Sequence, residues 1–189
     1  MAAVAVPARP NGWWGMAVFV ATEATLFGVL IGSWIYLGLE NPSWPPRGVS
    51  VPPVLTPTLL TAALLSTSVF MQLAWRSGRA WDRERAWLFV AAAFVVQTFY
   101  FSWQAHDFEL AVHAFPPDQT AFSSLYITLL GADHAHVFVG LLLQLWLLIR
   151  LATKLTRYRL VGLQATTFYT HAVNAITVAV LLTTIAPSL

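Results

Sequence analysis

The sequence predicts an all-α, polytopic membrane protein: a bundle of five transmembrane helices, N-terminus inside and C-terminus outside. Three observations predict it. Of 189 residues, 58% are hydrophobic and only 10% charged, with a mean hydropathy of +0.66; soluble domains carry about 25% charged residues. Five segments reach the 20 or so mostly apolar residues that a bilayer crossing needs. The basic residues also fall almost entirely on one side of the alternating topology that those segments imply.

The opening residues, MAAVAVPARP, lack a signal peptide's order of basic region, apolar core and cleavage site. Residues 1–12 are therefore expected to be a cytoplasmic segment, and 13–189 the membrane domain. The first span is expected from Trp13 to Leu39. The second runs from Thr56 to Trp75, with Thr56 as N-cap and Pro57 at the first helical position, where its missing N–H costs nothing. The third covers Arg85 to Gln104, the fourth Ala121 to Arg150, and the fifth Gly162 to Ile185. The stretches between them read as connectors: NPSWPPRGVSVPP (41–53), RSGRAWDRER (76–85), HDFELAVHAFPPDQ (106–119) and LATKLTRYRL (151–160). No internal repeat or low-complexity tail interrupts this order.

Charge then sets the orientation. The side holding the N-terminus and the second and fourth connectors carries Arg9, Arg76, Arg79, Arg83, Arg85, Arg150, Lys154, Arg157 and Arg159, nine of the ten basic residues. That side is expected to be cytoplasmic. A pI near 9.3 is thereby explained by the membrane's inner leaflet, and no nucleic-acid partner is implied. The absence of cysteine excludes disulfides, thiolate metal sites and cysteine nucleophiles. Nine tryptophans suit interfacial anchoring.

Within the spans only two acids occur, Glu23 and Asp133. A charge at the bilayer centre costs at least about 2.5–3.5 kcal/mol, so both are expected to face the bundle interior. Burial without a cation favours the neutral carboxyl. On the fourth span Asp133, His136, Val137, Gly140 and Gln144 share one face at 3.6 residues per turn, and His134 points elsewhere. On the fifth, Thr167, Thr170, His171, Asn174 and Thr177 form a second stripe; on the third, Gln97, Tyr100 and Gln104 form another. Polar and small faces are what membrane helices turn toward one another. Counted from the inner ends, Glu23 lies about 15 Å deep, His171 about 14 Å, Asn174 about 18 Å and His136 about 21 Å. These groups are expected to share a layer in which Glu23 hydrogen-bonds to one of the others. The stripes also suit plain helix packing. For Glu23, proton handling and a neutral structural hydrogen bond stand level. The spacing allows a bis-histidine haem between His136 and His171, but His134 and His136 lie on different faces, against a shared metal. No nucleophile–base triad, phosphate loop or nucleotide fingerprint is present. A proton-coupled carrier is disfavoured by the lack of inverted repeats or broken helices.

The order of segments resembles subunit III of the haem–copper oxidases, the cytochrome c and quinol oxidases. The first span, GMAVFVATEATLFGVLIGSW, is similar to the family's third helix with its Gly-Met and (Ser/Thr)-Glu. SWPPRGV resembles Trp-Pro-Pro-x-Gly, and LTPTLLTAALLSTSVFMQLA the helix that follows. QAHDF (104–108) resembles Gln-Ala-x-Glu-Tyr, GADHAHVFVG resembles Gly-Phe-His-Gly-Leu-His-Val, and FYTHAVNAI resembles Tyr-Trp-His-Phe-Val-Asp. Together these cover nearly the whole chain, and the expected orientation agrees. Three positions depart. Asp133 stands where the family has the first histidine of its His-x-x-His pair, Asn174 where it has aspartate, and Asp107 where it has glutamate.

The resemblance implies the family's short five-helix form and an accessory role. No haem or copper would sit in this chain; both are expected in the partner subunit I. The chain would pack on subunit I within an oxidase or supercomplex and bind phospholipid. It would support assembly and proton uptake and pumping during O2 reduction, in a bacterial cytoplasmic membrane. Glu23 matches the family's buried, carbodiimide-reactive acid. The departures keep hydrogen bonding, and those at Asp133 and Asn174 change charge; they leave as an alternative a subunit III-like protein of a nitric oxide reductase system, while His136 and His171 leave a small haem-binding anchor as another.

Overall fold

The computed structural model describes residues 10–49 and 53–186. Its elements are five helices: α1 (Asn11–Glu40), α2 (Leu55–Arg79), α3 (Arg83–Ala114), α4 (Ala121–Thr153) and α5 (Arg157–Ile185). All five are long and apolar enough to cross a membrane. At 25 to 33 residues they are about 38–50 Å long, more than the hydrocarbon layer of about 30 Å. The chain is thus a multi-pass, all-helical membrane protein.

The helices start and stop for local reasons. Asp82 caps α3 by accepting from Arg85 N–H, Thr120 caps α4 through Ser123 N–H, and Thr156 caps α5 through Arg159 N–H. The N-cap expected at Thr56 is not formed. α2 begins two residues before the position that cap implies, with Val54 in the capping position, and Thr58 donates both its N–H and its hydroxyl to the Val54 carbonyl. Pro57 is then the third helical residue. It is tolerated there because the first four N–H groups of a helix have no intrahelical acceptor.

Three of the four connectors are shorter than expected. α3 runs ten residues beyond Gln104, so the first nine residues of the acidic stretch 106–119 are helical. Polarity alone does not end a helix; AHDFELAVHA contains no Gly or Pro, and Pro116 supplies the stop by forcing Phe115 out of the helical region. Likewise the basic links shrink to residues 80–82 and 154–156. Asn11 and Gly12, expected in the leading segment, already belong to α1, and residues 1–9, Arg9 among them, lie outside the described residues. The Pro-rich 41–53 stretch is non-helical throughout its described part.

α2, α3, α4 and α5 pack in a closed ring, each on the next and α5 back on α2. α1 lies outside this ring on α5 and α4, without touching α2 or α3. Three apolar layers lie along the interior. At the end with the short basic links, Met71, Val90, Leu147 and Leu163 meet. In the middle, Leu64, Tyr100, Val137, Tyr169 and Val173 do so. At the far end, Phe27 and Trp34 of α1 join Phe115, Phe122 and Tyr126. Near the basic links Arg83 donates to the carbonyls of Leu151 and Ala152, and Arg159 to those of Arg150 and Lys154. Cationic side chains thereby satisfy the free carbonyls at the C-terminus of α4, where the helix dipole also favours them.

Candidate functional site

Glu23 is carried by α1 on the same face as Phe19 and Phe27, one turn to either side. That face meets α4 and α5. Glu23 Oε2 lies 2.6 Å from His136 Nε2, joining α1 to α4 across 113 residues of sequence. Both side chains are mostly shielded, at 19% and 14% exposure. Thr22 and Thr25 take no part; their hydroxyls return to carbonyls of their own helix.

Hydrogen-bond bookkeeping limits the states of this pair. His136 Nδ1 lies 2.6 Å from the Ala132 carbonyl, which can only accept. Nδ1 therefore carries a hydrogen. Two forms then remain. Either a neutral Glu23 donates its O–H to Nε2, or the imidazolium donates Nε2–H to the carboxylate. The two differ by the position of one proton along one short hydrogen bond. The surroundings are apolar and fixed: Phe27 packs edge-on against the imidazole at 5.1 Å, and Phe19 stacks on Tyr169 at 6.0 Å. Tyr169 in turn donates its hydroxyl to the His136 carbonyl at 3.0 Å.

The remaining expected residues are not gathered around Glu23. His171 Nε2 faces Gln72 Oε1 of α2 at 3.3 Å. Asn174 Nδ2 lies 2.7 Å from Ser68 Oγ, 3.0 Å from Thr67 Oγ1 and 3.2 Å from the Leu64 carbonyl, clamping α5 to α2. Asp133 is 3% exposed and its Oδ1 accepts from Thr177 Oγ1 at 2.7 Å. Gln104 is buried and shares a cavity wall with Asp133. His134 turns aside and stacks on Phe101 at 4.1 Å.

So the single layer inferred from depth resolves into two junctions: Glu23–His136 between α1 and α4, and His171 and Asn174 between α5 and α2. A haem bridging His136 and His171 does not suit this arrangement. Both nitrogens of His136 are engaged by protein, and the two rings face different helices. Among the described residues, no three His, Asp or Glu side chains gather as a metal site.

A third junction ties α3 to α4. Gln97 donates to the Val137 carbonyl at 2.9 Å and accepts from Gln144 Nε2 at 2.7 Å. Gly140 makes room for it: a Cβ there would lie 2.6 Å from Gln97 Nε2. Tyr169, Gln72, Thr67 and Ser68 were not singled out from sequence. Their signal was weak, because each reads as an ordinary helix residue until the facing helix is known.

The comparisons agree with this architecture. The family model for cytochrome c oxidase subunit III matches residues 8–185. Cytochrome c oxidase subunit 3 of Thermostichus vulcanus is 25% identical over 131 residues, covering 68% of this chain and 63% of the relative. That of Patiria pectinifera is 26% identical over 184 residues, covering 90% and 68%. Cytochrome bo(3) ubiquinol oxidase subunit 3 of Pseudomonas aeruginosa is 26% identical over 148 residues, covering 78% and 69%. The matched parts thus span about two thirds of these relatives' length, 63–69%.

Proposed function

The chain belongs to the cytochrome c oxidase subunit III family, and we propose from that premise that it is an accessory, non-redox subunit of a haem–copper terminal oxidase. In this reading it packs on subunit I, which holds the haem and copper, within the bacterial cytoplasmic membrane. It binds phospholipid and supports assembly and proton uptake during O2 reduction. The observation that carries the reading is the family match over nearly the entire chain. The internal architecture suits it. Most polar side chains of α3, α4 and α5 face other helices or the interior of the bundle, while α1 keeps an almost wholly apolar outer surface, including Val18, Val29 and Tyr36, available to lipid or to a neighbouring subunit.

Glu23 and His136 are the residues we assign to proton handling at the α1–α4 junction. Asp133, Gln104, His171 and Asn174 hold or line the interior of the ring. The electron donor is cytochrome c or a quinol, and the named relatives include both kinds of oxidase. The experiment is purification of the tagged chain from its native membrane. A polytopic partner carrying haem and copper, by spectrum and metal analysis, is the expected result. A Soret band of the isolated chain that disappears in His136→Ala would instead make it a haem-binding anchor and overturn the proposal.

A further inference from the structure

The ring of α2, α3, α4 and α5 is not filled throughout. A cavity of about 240 Å³ runs along its axis at the end away from the basic links. The lining residues fix its direction. Its innermost residues are Thr61, Tyr100, Asp133 and Thr177, and its rim includes Pro53, Ala114 and Ile185. Fourteen residues of α3 separate Tyr100 from Ala114 and eight of α5 separate Thr177 from Ile185, so the cavity is about 12–20 Å deep. Beneath the floor, Leu64, Val137 and Val173 close the ring with 4% exposure or less. It is a blind pocket, not a passage.

Three deeply buried polar side chains open into it with hydrogen-bonding capacity unspent. Tyr100 is 2% exposed, Asp133 3% and Gln104 8%. Among the described residues nothing bonds to the Tyr100 hydroxyl, to either amide atom of Gln104, or to Asp133 Oδ2. Buried polar groups are almost always partnered by protein or by ordered water, and water takes about 30 Å³ per molecule, so this space has room for several. A second carboxylate, Asp107, lines the wall one turn outward from Gln104. None of the described lining residues is basic. The polar groups of its lining are therefore oxygen acceptors, hydroxyls and one amide, the donor set of a hard cation, set among apolar side chains such as Leu110, Leu130 and Val180 that form most of the wall.

We propose that this cavity is a hydrated binding site for a small hard cation, with Asp133 as its inner anchor and Asp107 as its outer one. The cavity lining does not include Glu23 or His136, and the proposal does not depend on the function proposed above. The chain has no cysteine, which makes a clean test possible in the purified native complex, against the parent complex as background. Gln104→Cys is treated with two methanethiosulfonate reagents of similar size, one bearing a trimethylammonium group and one a sulfonate. Ala111→Cys, a smaller change on the same wall, serves if Gln104→Cys fails to assemble. The ammonium reagent is expected to react at least tenfold faster. Asp107→Asn should reduce that preference at least threefold. Na+, Mg2+ or Ca2+, added one at a time to a choline buffer, should slow the reaction for at least one ion. No modification by either reagent, equal rates for the two, or no protection by any of the three ions would overturn the proposal.

Discussion

Glu23 of α1 and His136 of α4 meet at 2.6 Å, while the other histidine nitrogen is committed to the Ala132 carbonyl. The acid that stood alone in an apolar run therefore has a partner that is uncharged whenever the acid is neutral. This pairing lets a carboxyl lie within a membrane helix without an isolated charge, whose cost would be several kcal/mol.

Glu23→Gln should leave the complex assembled, because the amide can still donate to His136 Nε2. Initial O2 uptake should stay close to wild type, since the residue lies in the accessory subunit. Glu23→Leu removes the partner of a shielded imidazole, at a cost of about 1–3 kcal/mol, and should reduce retention of this chain on purification. Immediate and complete loss of turnover in Glu23→Gln would show that the residue belongs to the reaction itself.

Gly140→Ala places a methyl group where Gln97 Nε2 now sits. The amide must leave the Val137 carbonyl and Gln144, so overpacking is expected to cost about 1–3 kcal/mol. Thermal unfolding of the complex would register it as a lower midpoint. Gln97→Ala in the same chain should recover part of the loss, because it removes the group that clashes. Strictly additive losses in the double variant would mean the clash lies elsewhere.

Much of the fold was legible because bilayer physics leaves few choices. A long apolar segment must be a helix, so the five spans follow from composition. Helix ends were less legible. The extension of α3 to Ala114 depends on propensity outside the apolar core, where hydropathy carries no signal. The site divides in the same way. That Asp133, Gln97 and Asn174 face inward was readable from 3.6-residue periodicity. Which helix each one meets was not, since ring order is decided by packing between segments distant in sequence. Depth placed His171 and His136 near Glu23, but depth says nothing of direction around the bundle, and the structure turns His171 to Gln72 instead.

Asn174 works as a donor. Its Nδ2 faces the Leu64 carbonyl, which cannot donate, and the hydroxyls of Thr67 and Ser68. Asn174→Leu should therefore strand the acceptors of α2 and lower stability by about 1–3 kcal/mol. Asn174→Asp is the sharper variant, because a carboxylate offers no hydrogen to the Leu64 carbonyl. It should destabilise at least as much at neutral pH, by the thermal midpoint of the complex. Unchanged stability in both variants would show that the clamp contributes nothing net.

The last prediction concerns orientation. The links at residues 80–82 and 154–156 lie at one end of the bundle with eight of the described basic residues nearby, whereas the links at 41–54 and 115–120 carry only Arg47. Lys and Arg near helix ends resist translocation, so the first end should be cytoplasmic. Truncation fusions distinguish the two cases. Green fluorescent protein joined after Lys154 should fluoresce, and alkaline phosphatase at that position should be inactive. Phosphatase joined after Asp118 should be active. The reversed pattern would place the cavity floored by Asp133 open to the cytoplasm, and any cation bound there would then come from inside the cell. A substitution test follows from the same logic. Replacing Arg76, Arg79 and Arg157 together by glutamine, while adding three lysines to the 41–53 link, should yield a mixed population of both reporters. If orientation is unchanged, the asymmetry is a consequence of insertion and not its cause.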